Sequence, residues 1–250
     1  MNISIKKPYL INETGRWIKN KDSIYPDNEP VNINNRFFLV CDGVGKTNKG
    51  EVASSLACDA VYTYFNTFLN PEEKFNPLFI EKALQYAEVQ FDEYIKKDPY
   101  TKGMATMLCL LYFAPDGVYL THAGNSRIYQ FRDGKIIFKT EDNSIQVSHA
   151  PVKIDITKIT DVLPDDEFFM CTDGVTEVWS DEDLCKIFST QLSSETRMNT
   201  IKEFCRESSK DNYSAYLIPI HDVNKVNTFK QMLLYAITYF NLLLMIPALG

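Results

Sequence analysis

Cysteine pairing signals are missing from this chain. Six cysteines occur, Cys41, Cys58, Cys109, Cys171, Cys185 and Cys205, and no two stand as CxxC. That excludes a zinc ribbon and a disulfide framework, and most of the six lie in apolar runs where a thiol behaves as a small hydrophobe. Basic charge is also short: the formal net charge is -7 and the pI about 5.1. No basic stripe is present to grip phosphate backbones, so nucleic acid is not an expected partner. The opening "MNISIKKPYLINETG" lacks the long apolar core of a secretory signal, and a reducing cytoplasm is the expected compartment. Internal repeats and low-complexity tracts are absent. No Gly-rich nucleotide loop is complete either. Gly45-Lys46-Thr47 suggests one, but the first glycine of GxxxxGKT would fall on Val40.

What the chain does have is a globular composition over 250 residues, with 45% hydrophobic and 24% charged residues. That is enough to bury a full core without staples. Strand-like runs rich in β-branched and aromatic residues fall at 36–41, 107–114, 117–123, 127–132, 135–140, 167–172 and 212–220. Pro115-Asp116-Gly117 and Asp133-Gly134 are turn signals, and the second predicts a hairpin between "RIYQF" and "KIIFK". Helical spacing appears over 50–69, with Val52, Leu56, Ala60, Phe65 and Phe68 on one face, and over 76–95, with Ile80, Leu84, Ala87, Phe91 and Tyr94. Shorter helices are predicted over 181–190, opened by acids, and 195–208. The pattern predicts an α+β fold with antiparallel sheet and helices packed outside it.

Four aspartates share a style of placement. Asp42 and Asp173 end apolar runs and precede glycine, Asp22 stands before the first predicted strand, and Asp211 opens the last. A strand end is a rigid mount. Carboxylates converging on one sheet edge repel each other unless a hard, oxygen-seeking divalent cation sits among them. The alternative is that Asp-Gly is merely a turn signal, as Asp116-Gly117 and Asp133-Gly134 are read. Asp42 and Asp173 differ because no partner strand follows immediately.

From Thr14 to Ile218 the chain resembles the metal-dependent serine/threonine protein phosphatases of the 2C type, in their compact bacterial form. The likeness rests on seven stretches in order: "TGRWIKNKDS", "LVCDGVGKTNKGEVAS", "GMATML", "THAGNSRIYQFRDGKI", "KTEDNSIQ", "MCTDGVTEV" and "KDNYSAYLI". The resemblance implies a sandwich of two antiparallel β-sheets flanked by pairs of α-helices. It implies two Mn²⁺ or Mg²⁺ ions, with Asp42 bridging them and Gly43 offering its carbonyl to one. Asp173 and Asp211 would bind the other ion, and Asp22 would act through ordered waters. A hydroxide bridging the ions would hydrolyse phosphoserine and phosphothreonine in proteins, opposing a Ser/Thr kinase.

The departures from the family pattern are specific. Trp17 stands where the family's phosphate-clamping arginine is expected, with Arg16 next to it as the candidate substitute. Lys21 replaces an acid before Asp22, Asn125 replaces an aspartate tied to a third metal, and Lys46 cuts the glycine run short. The segment between Ser148 and Asp161 is brief, which implies a reduced flap. These departures keep open a competing reading, a phosphatase-fold module that binds phosphoprotein without efficient turnover. His122 and His149 are the only histidines inside the domain, and His122 is read as structural.

The domain organisation reads as residues 1–220 catalytic, 221–228 linker and 229–250 an apolar C-terminal helix. Met232–Gly250 carries no charge over nineteen residues. A helix of that length rises about 28 Å, close to the roughly 30 Å of bilayer hydrocarbon. Lys225 and Lys230 precede it and favour a cytoplasmic domain tethered to the inner face of the membrane, although Asn241 is unfavourable. A helix docked on protein is the alternative.

Overall fold

The structure is a computed structural model that describes residues 2–27, 31–32, 34–44, 49–70 and 73–224. The apolar segment 229–250, and Lys46 in the loop after Asp42, lie outside the described residues.

Each apolar run owes its continuity to burial on both faces. In β4 (Phe37–Val44), Phe37, Leu39 and Cys41 turn one way and Phe38 and Val40 the other, and all five are buried. β5 (Ala105–Ala114) divides in the same way: Leu108, Leu110 and Tyr112 oppose Cys109, Leu111 and Phe113. Period-2 alternation is therefore hidden in these strands, because both classes of position are apolar.

The strands form two antiparallel sheets. One has the order β3 (Asp22–Tyr25), β4, β5, β6 (Gly117–Ala123), β9 (Thr157–Ile159). The other has the order β1 (Asn2–Ile5), β11 (Tyr213–Asn224), β10 (Glu167–Cys171), β7 (Arg127–Arg132), β8 (Lys135–Lys139), with β2 (Tyr9–Glu13) also pairing β11. Side chains from both sheets, including Phe38, Leu111, Phe113, Phe168, Met170, Tyr216 and Ile218, fill the space between them. Phe38 meets Phe113 and Tyr216 edge-on, at 6.1 and 5.3 Å between ring centres.

Helices cover the two outer faces. α1 (Gly50–Phe68) and α2 (Leu78–Lys97) lie on the first sheet. α4 (Asp181–Phe188) and α5 (Ser194–Ser208) lie on the second, after the single turn α3 (Asp173–Thr176). The predicted α+β sandwich is the observed one. α4 starts as its acids suggested, with Ser180 Oγ accepting the Asp183 N–H at 3.1 Å.

Several details differ from the sequence expectations. The buried stripe of α1 is Ala53, Ala57, Ala60, Val61 and Phe65, whereas Phe68 is 58% exposed. Small residues let the helix approach the sheet closely, so the bulky positions at 52, 56 and 68 fall to its margins. β1, β2, β3 and β9 were not foreseen; each has five residues or fewer and draws its register from a longer neighbour. β11 runs on through His221–Asn224, the first half of the segment read as a linker, because β1 pairs with it there. Ser148 to Asp161 carries β9 and no helix, in line with a reduced flap. The cysteines are all free, and all but Cys185 are buried.

Candidate active site

β3 and β4 are antiparallel neighbours, and their register sets Asp22 directly opposite Asp42. Asp22 is the first residue of its strand rather than a loop residue before it, and it is 6% exposed. Asp42 lies inside β4, which continues to Val44 against β5. Thr106 Oγ1 on β5 donates to the Asp42 carbonyl at 2.8 Å and fixes the strand at that residue.

The second sheet supplies the other two acids. Asp173 follows β10 and opens α3, and Asp211 lies two residues before β11. Thr172 ties the sheets together: its Oγ1 donates to Asp22 Oδ2 at 3.0 Å and accepts the Ser214 N–H at 3.0 Å. The four carboxylates therefore gather where the two sheets meet at one end of the sandwich.

Their electrostatics record that gathering. Burial pushes Asp22 up to about 7, and Asp173 and Asp211 add to the rise, while hydrogen bonds from Ser214 and Thr172 oppose it. Asp42 is held well above the usual carboxylate range, first by burial and then by the charges of Asp22, Asp173 and Asp211. Asp173 is raised by burial, against a lowering hydrogen bond from Asn125. Asp22, Asp42 and Asp173 are thus each penalised for their charge partly by neighbouring acids.

As the side chains stand, no group of three or more His, Cys, Asp or Glu among the described residues forms a ready ligand shell. Protein donors hold three of the four carboxylates. Asp22 accepts from Thr172, Asp173 Oδ2 accepts from Asn125 Nδ2 at 2.8 Å, and Asp211 Oδ1 accepts from its neighbouring Asn212 N–H at 2.8 Å. The donor set nonetheless suits a hard divalent cation. It is all oxygen, it repels itself, and it lies beside a buried acceptor without a partner, Asn125 Oδ1.

The glycines after the aspartates serve close packing. A Cβ on Gly43 would stand 1.9 Å from the Gly50 carbonyl oxygen, and one on Gly174 would stand 1.9 Å from that of Asn212. Any side chain at 43 would force β4 away from the start of α1.

Arg16 is not brought into the cluster. Its Nη2 donates to the Glu207 carbonyl at 2.6 Å, near the end of α5. Trp17 is 53% exposed and donates from Nε1 to the Lys210 carbonyl at 3.0 Å. His122 is a structural residue, hydrogen-bonded through Nε2 to the Glu141 carbonyl at 2.7 Å.

Sequence reasoning missed Asn212. This amide is 2% exposed and donates to the carbonyls of Thr14 at 2.6 Å and Lys19 at 3.1 Å, while accepting the Lys21 N–H at 2.9 Å. It clamps the 14–21 segment against the turn that carries Asp211. Its one signal was its place beside Asp211 in "KDNYS".

Comparison with known proteins gives this geometry a family. The profile described as Protein phosphatase 2C matches residues 29–217. The chain is 24% identical over 230 residues to a serine/threonine protein phosphatase PstP of Mycobacterium tuberculosis, a match covering 81% of this chain and 42% of the relative. It thus spans about two fifths of the length of the curated relatives it matches. Among solved structures it resembles the M. tuberculosis serine/threonine phosphatase PstP/Ppp, with TM-score 0.74 and 20% identity over 87% of this chain and 99% of that one. It also resembles the PstP catalytic domain in complex with two manganese ions, with TM-score 0.75 and 20% identity over 88% of this chain and all of that one. At that identity the likeness establishes the fold.

Proposed function

This chain belongs to the protein phosphatase 2C family, and from that premise we propose that it hydrolyses phosphoserine and phosphothreonine in proteins with two divalent metal ions, Mn²⁺ or Mg²⁺. The observation that carries the reading is the convergence of Asp22, Asp42, Asp173 and Asp211 where the two sheets meet. In it, Asp42 and the Gly43 carbonyl would hold cations from the first sheet, Asp173 and Asp211 would hold them from the second, and Asp22 would act through ordered water.

Bound divalent cations supply Lewis acidity and a nucleophilic water at neutral pH, so no covalent phosphoenzyme is required. The remaining work belongs to the chain. Thr106 and the β4–β5 ladder keep Asp42 in register. Thr172 aims the Asp22 carboxylate, Asn125 aims that of Asp173, and Asn212 fixes the turn bearing Asp211. Such preorganisation fixes the oxygen ligands that would hold the cations, so the site need not reorganise as negative charge develops on the phosphoryl group.

The test is release of inorganic phosphate from a phosphothreonine peptide by the full chain with Mn²⁺, with Mg²⁺ and with EDTA. Metal-dependent release supports the reading. Binding of the peptide without release in any metal overturns it in favour of a recognition module.

The substrates in this reading are phosphoproteins made by an opposing Ser/Thr kinase, and Met232–Gly250 tethers the domain to the inner face of the membrane. Among the described residues no helix is long and apolar enough to cross a membrane. The tether is supported by the uncharged sequence of that stretch alone. Co-flotation of the full chain with phospholipid vesicles, lost in Leu243→Lys, checks it.

A further inference from the structure

A phosphate monoester arrives with about two negative charges, so an anionic cluster of four aspartates needs a cation of the protein's own to receive the oxygens that the metals leave free. The nearby cations are mostly engaged. Arg16 is bound to the Glu207 carbonyl, Lys19 is paired with Glu51 at 2.5 Å, and Arg127 grips Asp142 through Nε at 2.7 Å and Nη2 at 2.8 Å.

Lys21 is different. Among the described residues its ammonium makes no ion pair. It lies 5.3 Å from the centre of the Trp17 ring, over the face of an indole whose Nε1 donates to the Lys210 carbonyl. Its stem passes the start of α1, where Lys21 Cδ is 3.1 Å from the position a Cβ on Gly50 would occupy. Gly50 in turn abuts the Gly43 carbonyl. The backbone of Lys21 is pinned on both sides, its N–H to Asn212 Oδ1 at 2.9 Å and its carbonyl to the Gly43 N–H at 3.0 Å. The residue is therefore rigid at its root, adjacent to Asp22, and its head group is parked on the face of Trp17.

We infer that Lys21 is the substrate-binding cation of this site, gripping the phosphoryl oxygens, and that Trp17 is a positioning residue that holds the ammonium ready. The inference rests on the hydrolase reading above. A cation–π contact at an exposed ring is weak, on the order of 0.5–1 kcal/mol, so the ammonium leaves the indole when a doubly charged phosphate offers itself. An ammonium is a point charge with three rotatable donors, where an arginine would present a planar fork. The site thus binds phosphate with less angular constraint than a bidentate clamp imposes.

The test uses the full chain with Lys21→Met, Lys21→Arg, Trp17→Leu, Arg16→Met and, as a control, Lys19→Met. Steady-state kinetics on a phosphothreonine peptide with Mn²⁺ are combined with inhibition by inorganic phosphate. In a Trp179→Phe background, where Trp17 is the only tryptophan, phosphate binding is also read directly from indole fluorescence. Loss of one charge-assisted contact predicts about a tenfold or greater rise in KM and in the phosphate inhibition constant for Lys21→Met. Lys21→Arg stays within a few fold, Trp17→Leu raises KM with kcat nearly unchanged, and Lys19→Met matches the parent. If Lys21→Met matches the parent in KM and phosphate inhibition, or if only Arg16→Met loses phosphate, the inference falls. If the parent chain releases no phosphate in any metal, the hydrolase reading fails separately. The fluorescence titration then still decides: phosphate must perturb Trp17 in the parent and not in Lys21→Met, and any other result overturns the role of Lys21.

Discussion

Asn125 Nδ2 donates to Asp173 Oδ2 at 2.8 Å, while Asn125 Oδ1, on the same amide, is buried with no partner. One side-chain amide thus calms a buried carboxylate and offers an unused acceptor to the same space. Replacing it with a second carboxylate removes the donor and adds charge. Asn125→Asp is expected to destabilise the metal-free protein and to bind an additional Mn²⁺ more tightly than the parent. Calorimetric Mn²⁺ titration and thermal melts in EDTA check both halves.

Asp42 sits opposite Asp22 and feels all three other acids. Asp42→Asn should lower metal-dependent phosphate release by about 100-fold or more, the scale of a lost electrostatic element at a reacting centre. The same change should stabilise the metal-free fold by relieving repulsion. A loss of activity accompanied by a lower melting temperature in EDTA would contradict that account.

The pH dependence has a definite sign. Asp22 rises from its ordinary 3.8 to about 7 in the folded protein, so the native state holds a proton that the unfolded state releases. The contribution of Asp22 to metal-free stability is therefore fully present below about pH 4, is lost through the window up to about pH 7, and is absent above it, a change of a few kcal/mol. Metal binding needs deprotonated ligands and runs the other way, tightening as pH rises. Urea melts in EDTA at pH 5 and pH 8 read the first trend. Asp22→Asn should flatten it markedly.

Gly43→Ala places a methyl group 1.9 Å from a backbone oxygen, so β4 or α1 has to move. The expected cost is about 1–3 kcal/mol, with weakened Mn²⁺ affinity because the Gly43 carbonyl shifts with its strand. Equal melting temperatures for parent and variant would refute the close approach.

Much of this was legible in the chain. Long apolar runs ended by Asp42 and Asp173 announced both mounts, and the Asp133-Gly134 turn announced the β7–β8 hairpin, in which Asp133 takes a positive φ of 50°. The α1 stripe was read correctly at Ala60 and Phe65, but weighting bulk over smallness put Val52, Leu56 and Phe68 on it in place of Ala53, Ala57 and Val61. The three- to five-residue strands carried too few positions for a period to show. Arg16 and Lys21 are close in sequence and chemically alike. What separates them is where their side chains end: one on the Glu207 carbonyl, the other over Trp17, an outcome fixed by contacts with residues far along the chain. Asn212 was hidden for the same reason, since its partners Thr14, Lys19 and Lys21 lie almost two hundred residues away.

β11 lies between β10 and the two N-terminal strands, so among the described residues β1 and β2 find their strand partner only in β11. On a ribosome the first strands to emerge must wait for nearly the last. A nascent chain that has already displayed Asp22, Asp42 and Asp173 still lacks the strand that aligns Asp211 and Asn212. Assembly of the four-carboxylate cluster is thus a late step of synthesis, one that waits for β11 to enter the second sheet.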